Sequence, residues 1–227
     1  MESLIRWNHP TRGLLGPHEF IEIAEDTGSI IDIGSWVIEE ACRACQALNT
    51  IAQNPIDVAI NISPRQFRDP NLVTTLRRSM RELALDPKNI EVEITETMLM
   101  QDVEAAEHTV RRFAELRVRL AIDDFGTGYS SLNYLKRFPI NTVKVDRSFV
   151  MDLPGNPDDL AITRAVVAMA HQLNMEVVAE GVETPEQLAC LAEEGCEYAQ
   201  GYLFSKPVPL SEVQDLLRQE APIVSRA

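Results

Sequence analysis

Cysteine, histidine, basic residues and long apolar runs are all scarce in this sequence, and each scarcity removes a class of function. The 227 residues hold four cysteines. Cys42 and Cys45 have a C-x-x-C spacing, yet Val37, Ile38, Ala41, Ala44 and Leu48 recur around them at helical intervals. A lone pair lacks the four ligands of a structural zinc site, so these are expected to be reduced helix thiols in a cytoplasmic protein. The four histidines, His9, His18, His108 and His171, fall in turns or on helices and read as structural. Lysine and arginine total 21 against 35 acidic residues, a net charge of −14 with a pI near 4.7. That balance excludes a nucleic-acid polymer as partner. It leaves room for a small anion held through metal ions, because a bound cation inverts local electrostatics. No apolar run is long enough to span a bilayer, and no secretory leader follows Met1. Low-complexity segments and repeats are absent, and the turn signals Asp86-Pro87 and Pro154-Gly155-Asn156-Pro157 read as loops within one domain, 1–227.

What is present is concentrated in the run Ala121-Ile122-Asp123-Asp124-Phe125-Gly126-Thr127-Gly128-Tyr129. An apolar stretch closed by acids and glycines reads as a buried strand opening into a functional loop. Adjacent carboxylates repel unless a cation lies between them. Gly126 and Gly128 let the backbone approach a ligand closely. A divalent-metal site facing a phosphorylated substrate is the simplest chemistry for such a loop, and a solvated acidic turn is the plain alternative.

Strand-like and helix-like segments alternate along the chain. The pattern predicts strands at Glu2–Trp7, Asp57–Ser63, Ile90–Thr95, Arg119–Phe125, Asn141–Asp146, Glu176–Gly181 and Tyr198–Leu203. Helices are predicted at Pro17–Thr27, Asp32–Ile51, Asn71–Leu83, Val103–Leu116, Ser130–Phe138, Pro157–Leu173, Pro185–Glu194 and Ser211–Gln219. Thr184 before Pro185 reads as an N-cap, and Gly195 as a helix stop. Such alternation predicts an α/β fold with a parallel sheet, closed either as an open doubly wound sheet or as a (β/α)8 barrel. Polar residues favour the barrel. Asn61, Glu93 and Lys144 each lie between apolar neighbours, and Glu180 follows Ala179. Side chains alternate faces along a strand, so polar groups from separate strands must share one interior, which a barrel mouth provides. About seven strands are visible, against the eight of a closed barrel.

The candidate interior set is Glu2, Asn61, Glu93, Asp123, Asp124, Lys144 and Glu180. Its carboxylates outweigh its one ammonium by about four charges, which two divalent cations would neutralise. Oxygen donors without histidine or cysteine suit Mg²⁺ or Mn²⁺ rather than zinc. Paired metals fit an in-line displacement at phosphorus, where they stabilise the attacking and leaving oxygens. Taken singly, Glu2 also reads as a terminal residue, Asn61 as a turn cap and Lys144 as a partner of Asp146. Glu96 reads as a group holding the Asp123–Gly128 loop, or as a helix-start carboxylate.

These residues fall in ordered motifs. They are Glu2-Ser3-Leu4 with Ile5-Arg6-Trp7-Asn8-His9-Pro10, Asn61-Ile62-Ser63, Glu93-Ile94-Thr95-Glu96, Asp123-Asp124-Phe125-Gly126-Thr127-Gly128 and Val143-Lys144-Val145-Asp146. Glu180-Gly181-Val182-Glu183, Gln200-Gly201-Tyr202 and Phe204-Ser205-Lys206-Pro207 complete the series. From Glu2 to about Pro209 the chain resembles the EAL domain, the bacterial phosphodiesterase that hydrolyses cyclic di-GMP to the linear dinucleotide pGpG. The resemblance implies a (β/α)8 TIM-barrel-like fold with one antiparallel strand. It implies Glu2, Asn61, Glu93 and Asp123 as ligands of one metal, and Asp123, Asp124 and Glu180 as ligands of a second. Lys144 would orient the attacking water or stabilise developing charge. Glu180 is also a candidate general base, and Glu96 would secure the loop. Leu4, Arg6, Asp146, Glu183, Gln200 and Pro207 are expected at the substrate. Ser3 stands where the family has alanine. The family carries a helix and a strand before the Glu2 strand, absent here, so an open seam is expected; that edge and the Asp123–Gly128 loop predict a homodimer. Two other readings stay open: a receptor that binds cyclic di-GMP without cutting it, and a protein-interaction module.

Overall fold

The computed structural model describes residues 1–127 and 135–218. Two compact units can be distinguished, Met1–Ile94 with Arg111–Arg119, and Thr95–Val110 with Leu120–Ala227. Part of the predicted helix Ser130–Phe138, and with it Gly128 and Tyr129, lies outside the described residues, as does Gln219.

In the first unit, β1 (Glu2–Ser3) pairs in parallel with β4 (Val58–Asn61), and β4 pairs in parallel with β5 (Ile90–Thr95). The long helix Ile30–Asn49 covers this sheet segment. Its buried residues Ile30, Gly34, Ile38, Ala41, Cys45 and Leu48 recur every three or four positions, with Cys42 beside them, which makes one continuous apolar stripe. At its end Asn49 grips Ile56 twice, donating Nδ2–H to the carbonyl at 2.8 Å and accepting its N–H at 2.9 Å, so the chain re-enters β4 in a fixed direction. After Asn61, Ser63 and Gln66 form a capping box with Pro64 in the first turn of the helix Pro64–Phe67. The cap ends β4 and leaves Asn61 at its C-terminal tip.

The predicted strand Glu2–Trp7 is shorter than expected. Trp7–His9 forms β2, which pairs antiparallel with β3 (Gly13–Leu15) in a separate hairpin. The parallel strand ends at Ser3, and in the hairpin the Trp7 ring packs edge-on against His9 and Phe20, with centroids at 4.7 and 5.8 Å. The antiparallel pairing thus belongs to this hairpin, and within each unit the other strand pairs described are parallel.

In the second unit β6 (Arg119–Phe125, from Leu120 on), β7 (Thr142–Val145), β8 (Glu176–Ala179) and β9 (Tyr198–Ala199) pair in that order, all parallel. Leu120, Ala121, Ile122, Val143, Val145, Val177 and Ala179 are fully buried. Runs apolar on both faces are what a covered parallel sheet requires. The helix Pro157–Gln172 starts at an Asn156 cap with Asp158 and Asp159 in its first turn, opposite the helix dipole. The helix Pro185–Glu193 starts at the expected Thr184, which forms a capping box with Gln187. The short helices Pro64–Phe67 and Glu96–Gln101 were not signalled by periodicity, because one turn is too brief to show it.

All four cysteines are free thiols, with Cys42, Cys45 and Cys196 buried. Burial pushes Cys42 up to about 12, with Cys45 adding to the shift, and raises Cys45 and Cys196 to about 11. Among the described residues no helix is long and apolar enough to cross a membrane.

Candidate metal centre

Two adjacent residues of a regular strand point to opposite faces, so Asp123 and Asp124 cannot both serve one ion unless the strand is interrupted. It is interrupted. Ile122 pairs with Val143 and Phe125 with Val145, so the two aspartates oppose the single residue Lys144. This is a β-bulge. Asp124 takes φ of 53°, the left-handed region that a short polar side chain tolerates better than most. The bulge brings both carboxylates near Glu180 at the end of β8: one oxygen each from Asp123, Asp124 and Glu180 lies within 4.8 Å of the others.

Lys144 projects from the middle of β7 into the same place. Val145 pairs with Ala179, so Glu180 lies one residue beyond the ladder, and its N–H donates to the Val145 carbonyl at 3.1 Å. Lys144 Nζ lies 2.7 Å from Glu180 Oε1 and 3.1 Å from Asp123 Oδ1. The lysine is 2% exposed. A buried ammonium is sustained only by carboxylates close at hand, and these carboxylates are sustained only by cations. Hard oxygen donors at this spacing, with charge in excess of one lysine, fit a divalent cation such as Mg²⁺ or Mn²⁺.

The loop after Asp124 is tied down by Glu96, which is buried at the start of the helix Glu96–Gln101. Its Oε2 accepts the Gly126 N–H at 3.2 Å, and Gly126 has φ of 97°, open to glycine at no steric cost. Thr127 Oγ1 donates to the Asp124 carbonyl at 2.8 Å, closing the turn.

The first unit carries a row of its own. Asn61 is in register with Glu93, and Glu2 with Ala59 two residues before Asn61, so Glu2, Asn61 and Glu93 share one face of adjacent strands. Asn61 Nδ2–H donates to Glu2 Oε1 at 2.6 Å, while Glu93 is 2% exposed. Asn61 is therefore engaged with Glu2 rather than with its own turn.

The residues expected at a substrate are more scattered in exposure. Leu4 and Pro207 are exposed, and Arg6 is half-buried with Nη1 donating to the Ile5 carbonyl at 2.8 Å. Asp146 caps the turn Arg147–Phe149, accepting from the Ser148 N–H at 3.0 Å. Glu183 accepts from Arg147 at 2.9 Å. The Gln200 carbonyl accepts the Val182 N–H at 3.0 Å, which joins it to the Glu180–Glu183 loop.

The chain matches the EAL domain family over residues 1–207. It belongs to the EAL domain family. It is 46% identical over 218 residues to the cyclic di-GMP phosphodiesterase NbdA of Pseudomonas aeruginosa, covering 96% of this chain and 28% of that protein. To the cyclic di-GMP phosphodiesterase PdeR of Escherichia coli K12 it is 42% identical over 209 residues, covering 92% and 32%. The chain thus spans about a third or less of these curated relatives. The solved PaMucR phosphodiesterase in complex with c-di-GMP superposes with a TM-score of 0.90 at 40% identity, over 93% of this chain and 86% of that one. The fold class, an α/β TIM-barrel-like fold, is that of these EAL domains.

Sequence reasoning named the acids, the lysine and Glu96, but passed over the bulge, Phe149, which lies against Gly126, and Arg147, which lies against Gly181. Their signal is position alone: they follow Val143-Lys144-Val145-Asp146 directly, at the end of a strand already marked as functional.

Proposed function

We propose that this EAL domain hydrolyses cyclic di-GMP to linear pGpG with two divalent cations, Mg²⁺ or Mn²⁺. The observation that carries the reading is the bulge that turns Asp123 and Asp124 together toward Glu180. Asp123, Asp124 and Glu180 would hold one cation, and for the other the family resemblance supports Glu2, Asn61 and Glu93. Bound cations would supply charge stabilisation at the phosphoryl oxygens and acidify the attacking water. The protein's own groups supply the rest. Glu180 Oε1, 2.7 Å from Lys144 Nζ, is the candidate proton acceptor, and the ammonium compensates the negative charge that builds during attack. Glu96 keeps the Asp123–Thr127 turn in place through Gly126. Leu4, Arg6, Asp146, Glu183, Gln200 and Pro207 bind the dinucleotide, with Arg6 the cation suited to a phosphate. A homodimer is part of the same reading and rests on the resemblance.

The relatives named as cyclic di-GMP phosphodiesterases support the substrate, and the oxygen-only donor set supports the metals. The test is incubation of folded protein with cyclic di-GMP and Mn²⁺, following the linear product by chromatography. Release of pGpG is expected, and its absence would remove the enzymatic reading.

A further inference from the structure

We infer that the turn Arg147-Ser148-Phe149 is a wedge that sets the position of the carboxylates at the ends of β6 and β8, with Arg147 and Phe149 as positioning residues. The inference rests on the metal-binding reading of Asp123, Asp124 and Glu180. The turn directly follows β7, the strand between the two that bear those carboxylates. It is anchored independently of them. Asp146 Oδ1 accepts from both the N–H and the hydroxyl of Ser148, at 3.0 and 2.5 Å, and Thr163 Oγ1 on the helix Pro157–Gln172 donates to the Phe149 carbonyl at 3.4 Å.

From this anchor one side chain reaches each neighbouring loop. Phe149 lies against Gly126, two residues after Asp124: a methyl group placed on Gly126 would stand 3.0 Å from Phe149 Cε2. Arg147 lies against Gly181, the residue after Glu180: a methyl group there would stand 2.3 Å from Arg147 Cγ and 2.8 Å from Cβ and Cδ. Gly181 has φ of 68°, so this loop takes a backbone form that needs glycine, and the arginine stem fills the space a side chain would occupy. Arg147 also bonds Glu183 at 2.9 Å, but both partners are largely exposed, and such a pair contributes little. The methylene stem on Gly181, not the ion pair, is therefore the operative contact.

Groups that orient ligands typically change metal affinity by about 10- to 100-fold when removed. Arg147→Ala is expected to raise the Mn²⁺ dissociation constant, read by calorimetry, about tenfold or more. Arg147→Lys keeps the stem and should stay within about threefold of the parent. In metal-free protein, amide exchange at 123–127 should be unchanged in Arg147→Ala and faster in Phe149→Leu, whereas exchange at 180–183 should be faster in Arg147→Ala. Unchanged exchange at 180–183 in Arg147→Ala, or Arg147→Lys as weak as Arg147→Ala for Mn²⁺, would overturn the wedge. Parent protein that binds no Mn²⁺ would sink the metal reading instead, and the metal-free exchange would still decide the packing claim.

Discussion

Lys144 is the residue on which the proposed chemistry turns. It is buried between Asp123 and Glu180, at 3.1 and 2.7 Å, where a cation serves two purposes. It balances the carboxylates, and in the proposed reaction it would offer a positive charge beside the developing transition state. Lys144→Ala is expected to lower kcat far more than it raises KM for cyclic di-GMP, because the lost interaction belongs mainly to the transition state. Steady-state kinetics decide it: a rise in KM with kcat intact would contradict the role. The buried thiols give a second residue-scale outcome. Their folded-state values of about 11 to 12 lie above the ordinary 9.0, so the neutral thiol is favoured by folding. That stabilisation is fully present below about pH 9 and is lost as pH rises toward 11 and beyond. Thermal unfolding followed from pH 8 to 11 should therefore show a shallower alkaline fall for Cys42→Ala than for the parent, and identical slopes would refute the cause.

At the scale of elements the bulge in β6 is the decisive feature. A regular strand would send one of the two aspartates away from Glu180. Asp124 pays for its place with φ of 53°, which a β-branched residue adopts only with strain. Asp124→Asn should keep the folded-state stability of the parent while weakening Mn²⁺ binding, and Asp124→Val should lose both. Melting curves and calorimetry on the two variants separate the effects, and a stable Asp124→Val would show that the bulge does not depend on this residue. The cap after β4 is tested alone by Ser63→Ala, which should cost about 1 kcal/mol in a denaturant titration, because the Gln66 N–H loses its acceptor.

Much of this was legible in the sequence. The strands Ile90–Thr95 and Arg119–Phe125 and the helix Val103–Leu116 have the bounds their periodicity predicts. The Thr184 cap was readable from the dipeptide with Pro185. The acids and Lys144 stood out because charged residues in apolar runs demand an explanation. The bulge did not, since register depends on the partner strand and not on local sequence. The hairpin from Trp7 was hidden for a similar reason: its strand Trp7–His9 pairs with Gly13–Leu15, and the Trp7 ring meets Phe20 edge-on, a contact 13 positions away in sequence. Arg147 and Phe149 were invisible because their importance lies in two glycines far along the chain, Gly126 and Gly181.

For the whole molecule, fold and family rest on agreement across nearly the full chain with solved EAL domains and curated phosphodiesterases. The proposed homodimer predicts a light-scattering mass near twice the 25.4 kDa of one chain, and a monomeric mass at high concentration would refute it. The most direct measurement is turnover under controlled metal content. Purified protein freed of metal with chelator, then supplied with Mn²⁺ or Mg²⁺, is predicted to convert cyclic di-GMP to linear pGpG only after the metal is returned. Folded, metal-replete protein that leaves cyclic di-GMP intact would contradict the account.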